Sequence, residues 1–151
     1  MKWVYDDGGR AESGFRGQAG DCVTRAISIA TGKPYREVYD EINMLAKTHE
    51  RKGKRKRDIS SARNGVYTQT LRRYLKSLGW VWVPTMQIGS GCTVHLRESE
   101  LPMGKLIVKV SGHTCAVIDR VIYDTHNPDR DGQRCVYGYF YQPAKRGGQQ
   151  Q

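Results

Sequence analysis

Several kinds of protein are excluded by what this chain lacks. No apolar stretch approaches the roughly 18–20 residues that cross a bilayer as a helix, so a transmembrane helix and membrane partners are not expected. Cysteine is scarce: Cys22, Cys92, Cys115 and Cys135 are the only four in 151 residues. They are too few and too scattered for a disulfide framework. The opening MKWVYDDGGR has no continuous apolar segment and turns acidic at Asp6, unlike a secretion signal. These features together lead to the expectation of free thiols in a reducing cytoplasm. No internal repeat and no Pro/Ser-rich linker divides the chain, and its length fits one domain of roughly 100–150 residues. Acidic residues are outnumbered, 15 against 25 Lys+Arg, for a formal charge of +10. That balance allows a polyanionic partner and says nothing about the fold.

What is present has a clear order. From Gly20-Asp21 onward, Cys22, Val23, Ala26, Ile27 and Ala30 form an apolar stripe of helical period, with Asp21 at the N-cap position and Gly32 just past the end. A second helix is predicted to start at Pro34 and run to about Thr48, on Tyr35, Val38, Tyr39, Ile42, Leu45 and Ala46. A third covers about 67–78 and is stopped by Gly79. The texture then changes. Residues 80–85, 105–110, 113–119, 121–125 and 134–142 are rich in β-branched and aromatic side chains and read as strands. Helices followed by strands predict an α+β fold, with N-terminal helices packed on a mostly antiparallel C-terminal sheet. The single domain spans 1–151, with 1–17 and 144–151 expected to be irregular or mobile.

Two places carry chemistry. Cys22 opens the first helix, where unpaired backbone N–H groups and the positive end of the helix dipole favour a thiolate. The thiolate is the nucleophilic form of cysteine, and the Cys22 N–H is suited to hold a developing oxyanion. Gln18, in the turn GQAGDC, is the side-chain amide within reach of that oxyanion. A small apolar residue opening a buried helix is the plainer reading of the same position.

The second place is SGHTCAVIDRVIYDTHNP, residues 111–128. If Asp119-Arg120 is a two-residue turn, 118 pairs with 121, 115 with 124 and 113 with 126. His113, Cys115, Val117, Ile122, Asp124 and His126 then share one face. Asp124 lies diagonally from His113 and can orient its ring; a turn one residue longer sets Asn127 there instead. Either acceptor holds imidazole in the tautomer a general base needs.

An early helix-opening Cys and a late strand-opening His with an acidic or amide partner follow the chain order of Cys–His–Asp/Asn enzymes. The segments GDCVTRAISIATGKPYREVYDEI and GHTCAVIDRVIYDT resemble the papain-like cysteine peptidase superfamily, especially its compact bacterial and phage-encoded members. The D-C-x-x-R-A-I stretch is similar to the nucleophile helix of ovarian-tumour-type deubiquitinases. The resemblance covers 18–45 and 104–128 and implies a papain-like fold and a cysteine protease acting on a polypeptide, without cofactor. It implies Cys22 as nucleophile, His113 as general base, Asp124 as the residue orienting His113, and Gln18 as oxyanion donor.

Other features are weighed beside this one. Cys92/His95 and His113/Cys115 have spacings found among zinc ligands, but Cys92 sits in a glycine loop, GSGC, and no metal is expected. The run KGKRKR at 52–57 reads as a solvated loop, as a weak phosphate contact within 51–57, or as a guide for acidic polypeptide. Two rivals to hydrolysis remain: a basic non-catalytic module binding nucleic acid or protein, and an acyltransferase using the same triad.

Overall fold

The computed structural model describes residues 1–50, 58–87 and 89–144. The basic run 51–57 and all but the first residue of the 144–151 tail lie outside the described residues. The first helix, α1 (Cys22–Thr31), buries Val23, Ala26, Ile27 and Ala30 and ends at Gly32, whose φ of 78° is the left-handed cap its missing Cβ permits. The Gly32 N–H closes the last turn on the Ser28 carbonyl at 2.9 Å. Pro34, unable to donate, immediately precedes α2 (Tyr35–His49), which buries Tyr35, Val38, Ile42 and Ala46. The third helix, α3 (Thr68–Ser77), buries Thr70, Leu71, Tyr74 and Leu75.

Among the described residues eight strands follow or flank these helices: β1 (Trp3–Tyr5), β2 (Val81–Pro84), β3 (Met86–Gln87), β4 (Gly91–Cys92), β5 (Lys105–Val110), β6 (His113–Ile118), β7 (Val121–Asp124) and β8 (Val136–Tyr141). Six of them form one sheet in the order β1-β7-β6-β5-β8-β2; β3 and β4 form a separate small hairpin. Every pairing is antiparallel except β1 with β7. The expected α+β layout, helices against a mostly antiparallel sheet, is therefore present.

Alternation along β5 and β6 divides the core in two. Ile107 and Ala116, with Phe140, meet Val23, Ile27, Ile42, Leu71 and Leu75 of the helices. Leu106, Val108, Val110, Cys115 and Val117 point the other way and are covered by Leu96 and Leu101. Burying each large aliphatic side chain contributes about 1.5–3 kcal/mol, and α1 packed on β6 is the contact that carries the chemistry. In β8, Gly138 is a steric requirement: a Cβ there would come within 2.4 Å of the Trp82 ring.

Two expectations are corrected. The opening segment was expected to be irregular, but Trp3–Tyr5 is a strand pairing with β7 in the register Trp3↔Ile122, Val4↔Tyr123, Tyr5↔Asp124. Its three exposed residues show no periodicity, and its partner lies more than a hundred residues away in sequence. The four thiols were expected to be free, but Cys92 and Cys135 form a disulfide across a sequence separation of 43. The bond joins β4 to the residue before β8, reinforcing a bridge between His95 and Cys135. Free thiols remain at Cys22 and Cys115. Among the described residues no helix is long and apolar enough to cross a membrane.

Chain-entropy arithmetic for a 43-residue separation gives a stabilisation of about 4 kcal/mol. Replacing Cys92 and Cys135 together by serine is expected to lower unfolding free energy in urea by about 2–4 kcal/mol. Urea melts of the double variant and of the oxidised parent measure the difference.

Candidate active site

The β6–β7 hairpin aligns the first components. Asp119 and Arg120 have φ of 49° and 66°, the left-handed pair that a two-residue turn of matching twist demands. The ladder runs Ile118↔Val121, Val117↔Ile122, Ala116↔Tyr123, the register expected for a turn at 119–120. Asp124 thereby comes to His113: Nε2 of the ring and Oδ2 of the carboxylate are 2.6 Å apart. An ionised carboxylate can only accept, so Nε2 carries the proton and Nδ1 is the nitrogen left for the thiol. Asn127, the alternative partner, is engaged elsewhere, its Oδ1 accepting the Asp129 N–H at 3.0 Å.

Helix α1 supplies the thiol. Asp21 stands at the N-cap position, yet its side chain makes no capping bond. The carboxylate turns instead to Arg25, with which it forms a close ion pair, to the Tyr35 hydroxyl at 2.6 Å and to Arg10 Nε at 3.5 Å. The first-turn N–H groups, which have no partner inside a helix, are thus left without a side-chain cap beside Cys22. Thr24 Oγ1 donates to the Ala62 carbonyl at 2.7 Å and anchors this turn to the loop before α3.

The electrostatics of the three groups are linked. Burial pushes the Cys22 thiol up, but hydrogen bonding to His113, the charge of that ring, the Thr114 N–H and Arg25 outweigh it, and the net shift is downward. Burial pushes His113 down, but the Asp124 hydrogen bond and the Cys22 partner raise it to about 9. Asp124 itself is lowered: burial opposes ionisation, while His113, the Thr125 N–H and Arg25 favour it. Both shifts favour the charged forms, Cys22 as thiolate and His113 as imidazolium below about pH 9. Cys115 is the contrast, fully buried and pushed upward by that burial.

These groups open onto a cleft of about 580 Å³ whose walls include Gly20, Cys22, Asn64, Gly65, His113 and His126. Gln18 is not on that wall. It is exposed, and its carbonyl accepts from Arg63 at 3.0 Å. Asn64 is among the lining residues, and its backbone carbonyl would lie 3.0 Å from a Cβ at position 20, so glycine there permits the close approach. Nothing local in the sequence marks Asn64. His113, Asp124 and His126 have donor atoms close enough together to hold a metal ion. The zinc spacings in the sequence fare differently: Cys92 is consumed by its disulfide, and His95 Nδ1 faces Glu100 at 3.2 Å.

Arg25 is the residue that sequence reasoning passed over. Its guanidinium spans two buried carboxylates, Asp21 on its own helix and Asp124 on β7, the latter through Nη2 to Oδ1 at 3.2 Å. It holds one oxygen of Asp124 so that the other faces His113. The i,i+4 spacing from Asp21 and the position one turn after Cys22 were visible signals.

Removing one partner from a buried charge group costs about 3–5 kcal/mol. Arg25→Met is expected to lose that much stability and to raise the pH at which Cys22 alkylation reaches half its maximum. Arg25→Lys keeps the charge and is expected to restore part of both. Mass-spectrometric alkylation rates across pH, with melts of the same variants, report the two effects; an alkylation profile unmoved by Arg25→Met would show that Arg25 is only structural.

Comparison with known proteins finds no matching family model, no matching curated protein and no matching solved structure.

Proposed function

We propose that the chain is a papain-like thiol hydrolase cleaving a peptide, isopeptide or related amide bond of a polypeptide. The observation that carries the reading is the juxtaposition of the Cys22 thiol, at an uncapped helix start, with an imidazole whose far nitrogen is 2.6 Å from a buried carboxylate. A carboxylate-backed ring beside a lowered thiol is the arrangement that nucleophilic catalysis at sulfur needs. The fully buried Cys115 has neither solvent access nor a proton acceptor of this kind.

In the proposed reaction the Cys22 thiolate attacks the carbonyl carbon. The resulting oxyanion is met by the uncapped N–H groups at the start of α1. The His113 imidazolium gives its proton to the departing amine nitrogen as the C–N bond breaks, leaving a thioester on Cys22. Neutral His113 then takes a proton from water, whose oxygen attacks the thioester; the acid product leaves and the thiolate–imidazolium pair is restored. Asp124 holds the ring through both steps, and Arg25 holds Asp124. The first step needs thiolate and imidazolium together, so the rate falls on the acid side as Cys22 gains a proton. It falls again near pH 9 as His113 loses one.

The test is turnover of a mixed peptide library, read by mass spectrometry. Cys22→Ala and His113→Ala are each expected to lower it by at least about 10³-fold, and Asp124→Asn by up to about 10⁴-fold through the wrong tautomer. The pH profile should be bell-shaped with its alkaline limb near 9. Amide products that appear only with added amine would instead indicate acyl transfer. Absence of turnover, with binding to nucleic acid that weakens steeply with salt, would favour a non-catalytic module.

A further inference from the structure

The end of the β6–β7 hairpin carries more donor atoms than hydrolysis uses. One ring nitrogen of His113, one of His126 and a carboxylate oxygen of Asp124 all lie within 4.8 Å of one another. Ligands about 2.0–2.2 Å from a tetrahedral zinc ion are separated by about 3.4 Å, so modest closure brings the three onto one ion. His126 is exposed and lies just past the end of β7; its Nδ1 is 3.5 Å from Thr125 Oγ1 and its ring centroid is 5.0 Å from that of His113.

The carboxylate is already braced for such a role. Asp124 Oδ1 accepts the Thr125 N–H at 2.7 Å and the Arg25 guanidinium at 3.2 Å, the outer-shell support that fixes a metal-bound carboxylate. Two imidazoles with one carboxylate suit zinc and its neighbours among divalent transition metals; calcium and magnesium ask for oxygen throughout. His113 and His126 line the cleft that also contains Cys22.

We propose that His113, Asp124 and His126 bind one zinc-class divalent ion and that this ion switches off the chemistry of Cys22. On binding, each ring presents the lone pair of one nitrogen to the metal and keeps its other N–H, and the proton carried by the coordinating nitrogen of His113 passes to solvent. A coordinated His113 cannot carry the second proton that makes it an imidazolium, so the acid that the first step of the proposed reaction needs is lost. The silencing rests on the hydrolase reading above, whereas the binding does not.

The experiment uses the full untagged chain, stripped of metal, with zinc affinity measured by competition against a chromophoric chelator. One ion per chain is expected, both in the parent and in Cys22→Ser, because sulfur is not a required ligand. His126→Asn is expected to weaken binding at least about tenfold, no less than losing an outer-shell partner does, with folding checked by circular dichroism. In the parent, zinc should slow alkylation of Cys22, and excess chelator should restore it. Zinc held as tightly by His126→Asn, lost in Cys22→Ser, or not retained against the chelator overturns the site. Zinc bound through His126 with Cys22 alkylation unaffected overturns the silencing. Zinc bound through His126 in a chain that turns over no substrate leaves the metal site standing and removes the hydrolase.

Discussion

Asp124 is a carboxylate with 2% of its surface exposed, and a charge so placed has to be matched by donors arriving from elsewhere in the chain. Here they come from two directions. His113 approaches along the neighbouring strand β6 and takes Oδ2, while Arg25 descends from α1 and takes Oδ1. To satisfy one buried charge, the helix that begins at Cys22 is held against the strand that begins at His113. The network extends outward through Asp21 to Tyr35 on α2 and to Arg10 in the N-terminal segment. A row of alternating charges thus fixes the relation of α1, α2, β6 and β7, and the thiol is placed as one of its consequences.

Asp21 shows how the same network shapes the site's chemistry. At the N-cap position an aspartate ordinarily closes its own helix by accepting a first-turn N–H. With its oxygens given to Arg25, Tyr35 and Arg10, it leaves those N–H groups uncapped next to Cys22. Stabilisation that would have gone into the helix is available to an anion at the sulfur or at a bound oxyanion. Asp124 has a similar double character. It serves as acceptor for a proton-carrying ring and as one corner of a metal-sized cluster, so protons and a transition metal would compete for the same atoms.

Much of this was legible because it is written locally. Asp21, Gly32, Pro34 and Gly79 mark helix ends by backbone chemistry, and each helix shows a 3.6-residue apolar period. Asp119-Arg120 between two apolar runs fixes a hairpin register, and that register is enough to bring Asp124 to His113. What escaped depends on distant partners. Trp3–Tyr5 is a strand only because β7 offers an edge, and Cys92 and Cys135 are joined by a fold that brings β4 to the start of β8. Gln18 is near Cys22 in sequence but is exposed and is not among the residues lining the cleft, whereas Asn64 lines it from a loop over forty residues away in the chain. For Arg25 only the Asp21 half of its pairing is local; its second carboxylate lies 99 residues further on.

The central claim is that Cys22 and His113 form a thiolate–imidazolium pair in the native protein. Nitrogen-detected NMR of the His113 ring across pH tests it directly, comparing the parent with Cys22→Ser. The account predicts an imidazolium persisting to about pH 9 in the parent and titrating at distinctly lower pH once the sulfur anion is gone. A His113 ring that titrates at the same pH in both proteins, near the ordinary histidine value of about 6.5, would contradict it.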